Sequence, residues 1–145
     1  MTFHSTDELK AFILSCSKDA LQKTVEQVYQ IIDRFVKEFY AEYSPAMYER
    51  TYQLYRSLVK TDVEATDNGC KAYVYFDFSS LVYTTGSSPS GEQVMNAASY
   101  GGHGAEGLHV IAGGTGIWSE PMVILNAEAY NILKKMLIDS GIPIK

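Results

Sequence analysis

Two histidines six positions apart, with a glutamate between them, are the first residues here that invite chemistry: His103, Glu106 and His109 in the run HGAEGLH. A catalytic zinc centre needs three fixed nitrogen or oxygen ligands and an open position. Where two histidines come from one helix, they sit one turn apart so that the helix stacks them. Here Gly101, Gly102, Gly104 and Gly107 surround the pair and disfavour a rigid helix. A metal-dependent enzyme built on this loop is therefore the lesser reading, and ordinary loop histidines are the commoner one. Gly113-Gly114-Thr115-Gly116 offers a second glycine-rich run. A phosphate-cradling loop continues into a lysine, a hydroxyl residue and a helix, whereas Ile117 and Trp118 follow here. Gly86-Ser87-Ser88 has no nucleophile-elbow context, and neither histidine has an acid partner at a telling spacing. Catalysis needs a constellation, and none assembles. The expectation is a protein that is not an enzyme and carries no cofactor and no metal.

Aromatic and guanidinium groups give a stronger signal. The chain has 11 tyrosines, and Tyr40, Tyr43, Tyr48, Tyr52 and Tyr55 crowd one segment together with Arg50 and Arg56. Tyrosine buries a ring while keeping its hydroxyl wet, which suits interfaces as well as strand faces. The arginines are placed to bond helix carbonyls, tyrosine hydroxyls or a neighbouring subunit's acids. Trp118, beside glycines, either covers the end of the core or anchors a partner. The candidate joint or interface set is Tyr43, Pro45, Tyr48, Arg50, Thr51, Tyr52, Tyr55, Arg56 and Trp118.

The elements that must position these residues can be read from spacing. Ser5-Thr6-Asp7-Glu8 has the hydroxyl and acids of a helix start, and Leu9, Phe12, Ile13 and Cys16 follow on one face. Ser17 offers a second start. Leu21, Val25, Val28, Ile32, Phe35 and Phe39 then step by three and four, predicting a helix to about Tyr43 whose apolar stripe packs on the protein's own sheet. Ser44-Pro45 ends it, and a short helical turn runs through Tyr48 to Thr51. Residues 55–65 alternate as a strand. Asp67-Asn68-Gly69 predicts a hairpin with a type I′ turn. Residues 70–78 form the clearest strand, with Ala72, Val74, Phe76 and Phe78 turned to the helix. Leu54 and Leu58 enter the core. Residues 84–116 read as a long flexible glycine-rich loop, with a short strand at 108–111 at most. A final helix spans about 124–140, closed by Gly141 and Pro143. The expected fold is α+β: one domain over residues 1–145, a small antiparallel sheet packed by a long N-terminal and a C-terminal helix.

Composition narrows the partners. With 145 residues, 46% of them apolar and 20% charged, the chain can bury a real core. A net charge of −5 argues against nonspecific nucleic-acid binding, and sequence-specific binding is not expected. Cys16 and Cys70 lack any metal or redox spacing and read as reduced, half-buried thiols. No apolar run is long enough for a membrane span, and the N-terminus lacks the apolar core of a signal peptide.

The segment P-x-x-Y-x-R-T-x-x-L-x-x-S, carried by Pro45, Tyr48, Arg50, Thr51, Leu54 and Ser57 after a long helix, resembles a family. It is similar to the joint in tail-completion, or minor tail-component, proteins of the head–tail neck of tailed bacteriophages. Gly114-Thr115, Pro121-Met122 and a last helix keep the order of that family. Its usual threonine-glycine-arginine core is replaced here by Arg50-Thr51-Tyr52. The resemblance implies a phage or prophage structural protein at the head–tail junction or tail end. It also implies ring-forming copies of itself and other neck or tail proteins as partners, and assembly in the host cytoplasm into the virion. A small bacterial protein-binding module is the alternative, and the histidine-loop enzyme the lesser one.

Overall fold

In a computed structural model, residues 2–42, 52–81, 90–100 and 117–144 are described. Helix α1 runs unbroken over Thr6–Glu42, about 55 Å at 1.5 Å per residue. Its start is the capping motif read from the sequence. The Ser5 hydroxyl accepts from Glu8 N–H at 3.1 Å, and the Glu8 carboxylate reaches back to His4 N–H at 2.7 Å. The second start expected at Ser17 does not form. With Ala20 fully buried and Cys16 nearly so, the apolar face is continuous there, and packing overrides a local cap. Within the predicted stripe Val25, Ile32 and Phe39 are buried, whereas Leu21, Val28 and Phe35 are only half-buried.

Residues 55–65 do not make one strand. Helix α2 (Gln53–Ser57) occupies the first part, and strand β1 (Leu58–Lys60) follows it directly. The rest is a bulged hairpin: β2 (Glu64–Thr66) pairs with β3 (Gly69–Lys71), and β1 pairs with β4 (Val74–Phe76), all antiparallel. Lys60 faces Val74 and Glu64 faces Lys71, so residues 61–63 oppose only 72–73. One extra residue on the first arm splits the ladder, which is what a bulge does. It also divides the strand expected over 70–78.

The hairpin stands where Asp67-Asn68-Gly69 predicts it, but the turn differs. Thr66 faces Gly69, leaving Asp67 and Asn68 at the corner. Among the described residues only Tyr52 and Gly141 have positive φ, so this is not a type I′ turn. Ala72, Val74 and Phe76 do turn inward; Phe78 instead enters a single 3-10 turn, Phe78–Ser80, and is exposed.

Inside the stretch read as a loop lies helix α3 (Gly91–Tyr100). The Ser90 hydroxyl accepts from Gln93 N–H at 3.2 Å, and Gln93 Oε1 accepts from Ser90 N–H at 2.8 Å. Helix α4 (Ser119–Asp139) begins five residues before the expected start at 124. Its end matches the reading: Gly141 has φ +97°, Ile142 N–H reaches Leu137 O at 2.9 Å, and Gly141 N–H reaches Ile138 O at 3.0 Å. This is the paired bonding of a Schellman cap.

The architecture is α+β, with α4 packed chiefly along α1 rather than on the sheet. One core joins Ile32, Val36 and Phe39 of α1 to Leu54, Leu58 and Phe76, and to Met95, Ile117 and Leu125 from the later elements. Leu54 and Leu58 are buried as expected.

Candidate assembly surfaces

The helix-to-sheet joint is built on tyrosine rings. Tyr40, near the end of α1, stacks on Tyr52 with centroids 4.9 Å apart and meets Tyr55 edge-on at 6.2 Å. Tyr52 precedes α2 with φ 54° and ψ 22°, a left-handed conformation that a bulky residue rarely adopts. The residue is 46% exposed, so stacking more than burial holds its ring. Arg56 lies in the last turn of α2 with its side chain exposed, placed to interact with the helix carboxyl end. Ser57, fully buried, donates to Leu54 O at 2.8 Å and closes the turn. The structure thus brings Tyr52 and Tyr55 together with Tyr40. Tyr43, Pro45, Tyr48, Arg50 and Thr51 lie outside the described residues, as do His103, Glu106 and His109.

Trp118 packs edge-on against Phe76 at 5.7 Å, so it covers the end of the core. On the same face of the ribbon as Leu58 and Phe76, Lys60 ties the sheet to α1. Its ammonium pairs with Glu26 and lies 4.7 Å from the centroid of the Tyr29 ring. The Lys60 bond, then Gln30, hold the Glu26 carboxyl below the ordinary carboxylate range. Burial, then the Asp33 charge, push the Tyr29 phenol up. At the far end Ser140 donates to Asp19 at 2.6 Å, joining α4 to α1. Lys23, then Ser140, lower the Asp19 carboxyl.

Among the described residues, exposed apolar side chains include three sets. Leu9, Ile13 and Leu14 lie on the first turns of α1. Val123 and Tyr130, 69% and 70% exposed, lie on the outer side of α4. Tyr73 and Tyr75 lie on the ribbon. Sequence reasoning turned Tyr73 and Tyr75 outward but did not single them out. It missed Val123 and Tyr130, although they fall a heptad apart and opposite Leu125 and Ile132. An open groove beside Met136 is lined by Gln22, Lys23, Glu26, Gln27 and Gln30. Its two charged groups are already engaged, Lys23 with Asp19 and Glu26 with Lys60. No group of three or more metal-binding side chains occurs among the described residues. No helix among them is long and apolar enough to cross a membrane.

Against known families, the chain matches the model of one family, YomN, over residues 5–137. No curated protein and no solved structure matches it.

Proposed function

The chain belongs to the YomN family, and from that premise we propose that it is a structural component of a phage or prophage virion. In this reading it acts at the head–tail junction or tail end, by assembling with copies of itself and with neck or tail proteins. The observation that carries the proposal is the match across residues 5–137 to a family associated with Bacillus phages and prophages, which supports a phage-related protein. The exposed aromatic and aliphatic faces on α1, α4 and the ribbon support assembly, since aromatic side chains are enriched in interfaces. The acidic net charge and the engaged carboxylates fit a scaffold better than a reactive centre. The test is deletion of the coding sequence from an inducible prophage, followed by electron microscopy and infectivity of the particles. The expected result is particles with missing or detached tails and lost infectivity. Normal, infective particles would overturn the proposal.

A further inference from the structure

Helix α4 turns one face to the rest of the chain and a second stripe to solvent. Pro121, Leu125 and Ile132 are buried. Opposite them, Val123 and Tyr130 are the most exposed large hydrophobic residues among those described. Ala127, between them, is exposed as well.

The same stripe carries one charge towards each end. Glu120, Ala127 and Lys134 are spaced by seven residues, so each step drifts only about 20° from a single line along the helix. Each step also rises about 10.5 Å. Glu120 is exposed and Lys134 half-buried. Neither side chain has a charged partner among the described residues. The adjacent Lys135, by contrast, is paired with Asp139 one turn on.

We propose that α4 packs antiparallel against α4 of a second copy, across a two-fold axis at Ala127. Charge selects this arrangement. Antiparallel, each Glu120 meets Lys134 of the other copy; in a parallel pair, like would meet like. The apolar residues select the same axis. A two-fold keeps Val123 and Tyr130 of both copies on one side of the contact, so each Val123 lies against Tyr130 of the other copy. Glu120 and Lys134 have their midpoint at residue 127, and Val123 and Tyr130 have theirs about half a residue away, or about 0.8 Å along the helix. One axis therefore satisfies both pairs. Ala127, with its small side chain, stands where the two helices must come closest. A second copy is the occupant on this ground: the base, the acid, the ring and the aliphatic group that the stripe calls for are those it carries, in reverse order. Such an isologous contact closes on itself. This deepens the self-assembly in the proposed function and rests on that reading.

The test is sedimentation of the full chain over a concentration series, with charge-swapped variants checked for folding by circular dichroism. The expected result is a concentration-dependent dimer. Glu120→Lys alone sets lysine against lysine at both ends of the contact, and Lys134→Glu alone sets acid against acid. Each should weaken the dimer about tenfold or more, and the two swaps together should restore it. Tyr130→Ala, at an exposed position, should weaken it too. A monomer at every soluble concentration overturns the pairing. So does a dimer that the single swaps leave intact, which would place the contact on another face, such as Leu9 and Ile13 of α1. A dimer that the single swaps weaken and the double swap does not restore overturns it as well. A monomer whose deletion still leaves particles tailless would sink the helix pairing alone. A dimer whose deletion leaves particles infective would sink the virion role alone.

Discussion

Tyr52 holds a backbone conformation that costs a bulky residue about 1–2 kcal/mol, and its ring stack on Tyr40 contributes about 0.5–1.5 kcal/mol. The two nearly cancel. Tyr52→Gly should therefore change stability by less than about 1 kcal/mol in thermal denaturation; a loss well above that would mean the ring holds the joint more firmly than its exposure implies. Glycines give a sharper contrast. A Cβ on Gly91 would lie 2.6 Å from the Phe78 Cβ and 3.0 Å from a Leu81 methyl. Gly91→Ala should thus cost about 1–3 kcal/mol through overpacking, although alanine is the better helix former. Gly69 has nothing within 4 Å of that position and no positive φ, so Gly69→Ala should be close to neutral. At this scale the sequence misleads. Asn68-Gly69 is a strong turn signal, but the β2–β3 register puts the corner at Asp67-Asn68, and a register cannot be read from a dipeptide.

Among elements, the long helices were the most legible because their apolar spacing repeats over many turns. The start of α1 at Ser5 and the end of α4 at Gly141 were readable as capping chemistry. Helix α3 was missed although Ser90-Gly91-Glu92-Gln93 is a capping box in plain view; the surrounding glycines outweighed it. Ser90→Ala should cost about 1 kcal/mol, measured by urea denaturation, and an unchanged midpoint would mean that packing alone sets the helix start. Helix α4 starts earlier than its apolar spacing predicts because Pro121 sits in its first turn, where proline is tolerated. Contacts between elements also carry a pH dependence. Asp19 and Glu26 have carboxyls lowered by Lys23 with Ser140 and by Lys60 with Gln30. Their stabilisation is present above the unfolded carboxylate pKa and is lost as pH falls through the lowered folded values. The melting temperature should therefore drop on acidification, and Asp19→Asn with Glu26→Gln should flatten that drop. An equally steep drop in the double variant would assign it to other carboxylates.

For the whole molecule, the α+β plan was legible, while the exposed apolar surfaces were legible only in part. Tyr52, Tyr55 and Trp118 are where the sequence directs attention; Tyr52 and Tyr55 meet Tyr40 at the joint, and Trp118 lies edge-on to Phe76 at the core end. The account's central claim is that this protein is built into a virion. The measurement that tests it most directly is quantitative mass spectrometry of particles purified from an induced prophage, compared with the unfractionated lysate. The account predicts several copies per particle at a fixed ratio to the other neck or tail proteins. A chain abundant in the lysate but absent from purified particles would contradict it.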